Sequence, residues 1–264
     1  RLLNKVVKVM QAISFCLNGK MAHFRKYYSN STALSHLVPP VATIKGIIAG
    51  LLGYERDSYY EEFSDKRCKV ALCVKSPLKK ITQTMNLLKV ESLNHLNGAG
   101  LNRTQNHTEF VVPKNLQSEN ICYEVIFYHE DRSVMEKLTA MLCLPSSAYL
   151  SQGISVALGS AQCLGWISQG KVVDLEKRLS DDAVIAICSA VVLNRIEKIC
   201  LEKEICSNFF KEETITEFDE HRLITEGSRK EILFNLEDTA LSLILKQATP
   251  YYVMDAKKNI VFLE

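Results

Sequence analysis

Apolar and polar residues alternate from Met10 to Leu17, with Ile13, Phe15 and Leu17 on one face, and this predicts a first strand. The period then changes. Ile44, Ile47, Ile48, Leu51 and Leu52 recur at helical spacing, from a first turn near Thr43 to a stop at Gly53, a residue suited to the left-handed turn that follows a helix. Gly46 and Gly50 stand four apart in that helix and leave one stripe without side chains, where another backbone can approach closely. Alternation returns over Cys68 to Lys75, where Val70, Leu72 and Val74 oppose Lys69, Ala71 and Lys75, and again over Ile121 to Tyr128. Ser133 and Glu136 have the spacing of a capping box ahead of Val134, Leu138, Met141 and Leu142, so a second helix is predicted there. A short strand near Gln162 to Ile167 closes the series.

The order β-α-β-β-α-β predicts an α+β fold of the ferredoxin-like type over residues 10–170. Residues 76–120 separate its second and third strands, where a tight turn would serve. So long a connection in a compact domain points to a functional insertion. Beyond Gly170 the pattern weakens: Asp181 to Leu193 reads as helix or strand, and Tyr251 to Met254 with Ile260 to Leu263 reads as a terminal hairpin. Residues 171–264 are therefore predicted to form a smaller, β-rich C-terminal region.

With 264 residues, 47% of them hydrophobic, the chain can bury a sizeable core. No segment reaches the roughly 20 apolar residues that cross a bilayer. Nine cysteines occur without a CxxC pair, and their spacings match no zinc pattern. They read as free thiols of a cytoplasmic protein, and no metal or cofactor is called for.

The net charge of +2 hides a division along the chain. Between Ser64 and Ser118 nine cations stand against three acids, whereas from Gly165 onward thirteen cations stand against eighteen acids. The N-terminal half is thus expected to carry a basic surface that attracts polyanions.

Chemistry concentrates in His23-Phe24-Arg25-Lys26-Tyr27-Tyr28, which sets a histidine, cations and aromatics in one predicted loop just before the first helix. Arg25, Lys26 and Lys45 have the charge to neutralise phosphates. Tyr27 and Tyr28 can stack on unpaired bases, and His23 can hydrogen-bond base edges or cap local backbone. In the insertion Lys79 and Lys80 add charge, and Arg103, Gln105 and His107 can donate to phosphates or base edges. Phe24, between cations, is expected in the core, and Trp166 is expected to pack within its strand.

Ala22-His23-Phe24-Arg25-Lys26-Tyr27, followed by Pro39-Pro40-Val41-Ala42-Thr43-Ile44-Lys45-Gly46-Ile47-Ile48-Ala49-Gly50-Leu51-Leu52-Gly53, resembles the N-terminal signature of the fifth CRISPR-associated (Cas) protein family, nearest to type I-B. Arg103-Thr104-Gln105 with Glu109-Phe110, Leu158-Gly159 with Cys163-Leu164, and Tyr251-Tyr252 extend the resemblance. Val41-Ala42 departs from it, standing where the family commonly has Arg-Thr.

The resemblance implies a non-catalytic subunit of Cascade, the RNA-guided surveillance complex of antiviral defence. Such a subunit caps the 5′ handle of the CRISPR RNA, touches the backbone and large subunits, and meets target DNA through the complex. Its inserted hairpin, the thumb, would be residues 76–120, and Lys45, Gly46 and Thr104 would join the RNA contacts.

Two rivals remain. The first is a metal-independent endoribonuclease that processes CRISPR repeat RNA, with Tyr27, Lys80 and His107 as the residue types for acid–base work. The chain has no adjacent Lys-His pair, the arrangement of cleaving relatives. The second is a stand-alone single-stranded RNA-binding module.

Overall fold

The computed structural model describes residues 9–97, 103–145, 148–200 and 208–264. In chain order these form β1 (Val9–Gly19), β2 (Phe24–Arg25), β3 (Thr32–Ala33), β4 (Ser35–His36), α1 (Val41–Leu51), β5 (Cys68–Val74), β6 (Leu78–Leu88), β7 (Arg103–Pro113), β8 (Ile121–His129), α2 (Arg132–Leu142) and β9 (Gly165–Leu179). The C-terminal region adds β10 (Ile185–Ile187), β11 (Val191–Val192), β12 (Ile196–Ile199), β13 (Phe209–Ile215), β14 (Arg229–Asn235), β15 (Leu241–Leu245), β16 (Pro250–Met254) and β17 (Lys258–Ile260). The chain is an α+β protein made mostly of strands.

Nine strands form one sheet in the order β12-β15-β10-β17-β16-β9-β1-β8-β5. Within it β1 pairs antiparallel with both β8 and β9, and β8 pairs antiparallel with β5. The first helix lies between β1 and β5 in sequence and the second between β8 and β9. Both pack on one face: Phe15, Leu17, Leu72 and Phe127 meet Ile44, Ile48 and Leu51 of α1 and Val134 and Leu138 of α2. The opposite face is buried too, because Ala12, Ala71 and Ile126 lie under Tyr252, Met254 and Phe262. Residue 170 falls inside β9, so the regions expected on either side of it share a sheet.

Helix ends show where local sequence rules give way. The first helix begins at Val41 rather than near Thr43, because Pro40 supplies a fixed φ of −54° and the Val41 amide donates to Thr214 Oγ1 at 3.2 Å. Gly53 follows the helix at φ +82°, in the left-handed role read from the sequence. At the second helix Asp131, not Ser133, is the N-cap, and its Oδ1 accepts the Ser133 amide at 2.7 Å. Glu136 instead binds Arg132 at 2.8 Å, one turn back.

The insertion is a hairpin. β6 and β7 pair in register from Leu78↔Pro113 to Leu88↔Arg103 without a slip. Its root is buried at Leu78, Phe110 and Val112, while its outer half is exposed. The last predicted strand runs much further than Gln162 to Ile167, since β1 supports β9 along one edge and β16 joins the other from Leu175 onward. Among the described residues no helix is long and apolar enough to cross a membrane. The eight described cysteines are free, and Cys206 lies outside the described residues.

Candidate nucleic-acid interface

β2 and β4 pair at Phe24↔His36 and Arg25↔Ser35, so the chain doubles back and residues 26–31 project as a loop. Phe24 is the anchor: it is buried and meets the Tyr123 ring edge-on at 6.2 Å. Within the loop Tyr27 and Tyr28 are 47% and 53% exposed, with ring centroids 5.2 Å apart at 86°. The Arg229 guanidinium, from β14, sits 4.8 Å from the Tyr27 ring centroid, and the Lys26 ammonium sits 5.9 Å from that of Tyr28. Arg25 is exposed, and its Nη2 donates to the Ser29 carbonyl at 3.1 Å. Exposed rings flanked by cations suit unstacked bases joined by phosphates.

A buried polar network holds this loop from below. Lys26 pairs with Glu212 at 3.2 Å, and the same carboxylate accepts the Leu37 amide at 2.8 Å. His36 Nδ1 lies 3.7 Å from Glu212, too far for a hydrogen bond. Burial pushes the Glu212 carboxyl up, but His36, the Leu37 amide and Lys26 outweigh it and hold the group below the ordinary glutamate value. Burial lowers Lys26 in turn, yet Glu212 and Tyr28 leave its pKa raised.

His23, expected as an RNA contact, is buried, and its Nδ1 donates to the Glu109 carbonyl at 2.7 Å. Lys80 is likewise engaged, by the Ser35 carbonyl and by Glu109 at 3.2 Å. Both therefore brace the loop against the hairpin instead of facing solvent.

The hairpin comes alongside because β3 pairs in parallel with β7 at Thr32↔His107 and Ala33↔Thr108. Alternation sets Arg103, Gln105 and His107 on one exposed face of β7, with Thr104 on the other. His107 Nδ1 is 3.2 Å from Thr84 Oγ1 of the paired strand. His107 thus lies at the loop, Arg103 at the outer end of the hairpin, and Lys79 near its root.

The expected basic surface is largely neutralised. Of the nine cations between Ser64 and Ser118, Arg67, Lys69, Lys75, Lys80, Lys89 and Lys114 are paired with carboxylates. Glu264, Asp238 and Glu237 of the acidic C-terminal region supply three of those partners. Lys66, Lys79 and Arg103 have no carboxylate partner among the described residues. The outer end of the hairpin is apolar, with Leu87, Leu88, Val90, Leu93 and Leu96 exposed.

Lys45 and Gly46 belong elsewhere. Lys45 is buried and bound to Asp65 at 2.7 Å, so it contributes no free charge. An added Cβ on Gly46 would stand 2.8 Å from the Tyr59 hydroxyl, and one on Gly50 2.6 Å from Ile154 Cδ1. The close approach read from this stripe is thus made by side chains, whereas backbone meets backbone where Gly153 crosses the Gly50 carbonyl. Gly46 and Gly50 line a cleft of about 800 Å³ with Tyr54, Tyr59, Ile154 and Arg222. At its mouth Asp57 accepts from Arg222 at 2.8 Å and from Tyr60 at 2.6 Å, and burial with that second bond pushes the Tyr60 phenol to about 12.

Sequence reasoning missed Arg229. It lies in an acid-rich region, 202 positions beyond Tyr27, and nothing in its neighbourhood marks it. It missed Trp166 as well, which is 37% exposed rather than packed away.

Fold and site together define a strand-rich α+β protein with a projecting hairpin beside an exposed, cation-flanked aromatic loop. Among solved structures, a CRISPR protein from Archaeoglobus fulgidus shares this fold at a TM-score of 0.52, with 11% identity, over 95% of this chain and 97% of that one. A chain titled as a CRISPR RNA-guided surveillance complex aligns at a TM-score of 0.48, also with 11% identity, over 89% of this chain and 91% of that one. No protein-family model and no curated protein matches the sequence.

Proposed function

We propose that this protein is a non-catalytic, RNA-holding subunit of a CRISPR surveillance complex, of the fifth Cas family and nearest to type I-B. In this reading it binds the 5′ handle of the CRISPR RNA, contacts the backbone and large subunits, and acts in antiviral defence in the cytoplasm. The observation that carries the reading is the pair of exposed tyrosines, each under a cation, set against an inserted hairpin. The strand order β9-β1-β8-β5 with two helices on one face supports a ferredoxin-like assignment for that unit. The end-to-end likeness of fold to the archaeal CRISPR protein supports the same reading.

Holding without cutting is favoured because Lys80, one of the candidate acid–base residues, is tied to Glu109 and the Ser35 carbonyl, and His107 faces a threonine hydroxyl. The test is to titrate labelled single-stranded repeat RNA with the protein. Replacing Tyr27 and Tyr28 with Ala weakens retention by about 1–3 kcal/mol per lost stack, and the RNA stays intact in EDTA. Unchanged retention overturns the loop assignment, and metal-independent cleavage lost in His107→Ala establishes the nuclease instead.

Charge gives a second, separable prediction. Lys79→Ala with Arg103→Ala lowers the slope of log affinity against log salt by about 0.7 for each lost phosphate contact. Lys114→Ala, which removes a cation already paired with Glu237, leaves the slope unchanged. A salt series by filter binding reads both.

A further inference from the structure

On β1, Leu17 points into the core beneath the helices, so Asn18 faces the opposite side of the sheet. The register sets Trp166 of β9 on one side of Asn18 and Cys122 of β8 on the other. Polar groups gather here and bind one another: Asn18, itself buried, donates from Nδ2 to Ser168 Oγ at 2.9 Å and to the Cys16 carbonyl at 3.0 Å. Asn120, just before β8, keeps a buried Oδ1 without a hydrogen-bond partner among the described residues. Lys20, just after β1, is exposed and has no carboxylate partner among the described residues. Trp166, 37% exposed, is the only tryptophan of the chain.

β16 pairs with β9 only from Leu175 to Leu179, so residues 165–174 have β1 along one edge and, among the described residues, no strand along the other. The register of β1 with β9 shifts between Ser14 and Cys16, opposite Gln169, which adopts a φ of 56°. A shifted, kinked edge is poorly made for adding a partner strand. It leaves the indole as the accessible feature.

The patch is also tied to the aromatic loop through the backbone. From Asn18 the chain runs through Lys20 and Ala22, which bridges to Val111 of the hairpin, directly to Arg25 and the tyrosines. The His23 amide donates to the Leu158 carbonyl at 3.0 Å and the Gly165 amide to that of Val156, so the segment leading into Trp166 is fastened to the segment leading into Tyr27. An exposed planar ring, with the Lys20 ammonium one residue beyond the Gly19↔Gly165 pair, suits a splayed base with its phosphate.

We propose that Trp166 is a second base-stacking position, on the helix-free face of the sheet, for the single-stranded RNA that passes the tyrosine loop. This rests on the RNA-holding reading, and the experiment separates the two. A single tryptophan makes its own emission the probe. Full-length protein is titrated with unlabelled single-stranded RNA while fluorescence is followed, and a labelled oligonucleotide reports total binding by anisotropy.

RNA is expected to quench Trp166, in the wild type and still at saturation in the Tyr27→Ala/Tyr28→Ala variant. Trp166→Ala weakens binding about 5- to 150-fold, the equivalent of one lost stack, whereas Trp166→Phe stays near wild type and controls for folding. Binding by anisotropy with unquenched emission and an unchanged affinity in Trp166→Ala overturns the platform and leaves a patch suited to protein. Absence of binding by both readouts overturns the RNA-holding reading and the platform with it.

Discussion

Glu212→Ala is expected to lower the unfolding free energy by about 3–5 kcal/mol, the cost of removing one partner from a buried ion pair. The carboxylate side chain is 2% exposed and that of Lys26 is 17% exposed, so water cannot replace what is lost. The Leu37 amide would lose its acceptor as well. Denaturant titration at neutral pH measures the loss, and a change within about 0.5 kcal/mol, the usual range of surface substitutions, would exclude this role.

The same group predicts a pH dependence. Its folded pKa lies below the ordinary value of 4.5, so the unfolded chain takes up a proton first as pH falls. The contribution is complete above 4.5 and is lost as pH drops through the folded value. Glu212→Gln removes this acid-labile part, and a titration curve in that variant as steep as wild type below 4.5 would assign the loss to other carboxylates.

The second large effect is expected at Gly159. Its φ is +90°, and a Cβ there would lie 2.7 Å from the His23 carbonyl carbon and closer still to its oxygen. Strain of about 1–3 kcal/mol and overpacking of similar size combine, so Gly159→Ala loses about 3–5 kcal/mol. The melting temperature falls by on the order of 10 °C. Gly227 supplies the control: its φ is +77°, but beyond its chain neighbours no atom of the described residues stands within 4 Å of an added Cβ. Gly227→Ala therefore pays the backbone strain alone, about 1 kcal/mol. Equal losses at the two sites would show that the His23 carbonyl gives way freely.

Periodicity revealed the elements that carry their own pattern: β1, α1, β5, β8 and α2 all stand where alternation or helical spacing predicts them. The length of residues 76–120 marked an insertion, and only the family resemblance implied that it is the hairpin of β6 and β7. What stayed hidden depends on partners far along the chain. Thr214 starts α1, Glu212 fixes Lys26, and Arg229 covers Tyr27, each from about 170 to 200 positions away. Lys45 and Lys80 read as free cations because Asp65 and Glu109 become visible as partners only once the chain is folded. Trp166 misled in the other direction. Residue type favours burial, whereas its place beside the uncovered stretch of β9 decides exposure.

The distribution of ion pairs sets an order of events during synthesis. Lys75 and Lys69 are neutralised by Asp238 and Glu264, which follow them by 163 and 195 residues. At about 5–20 residues per second, a ribosome delivers those acids roughly 10–40 s after the lysines. For that interval those two lysines stand beside ribosomal and messenger RNA without their carboxylate partners. Completion of the C-terminal strands then withdraws the charge of those lysines, while Arg25, Lys79, Arg103 and Arg229 still face outward near the loop and hairpin.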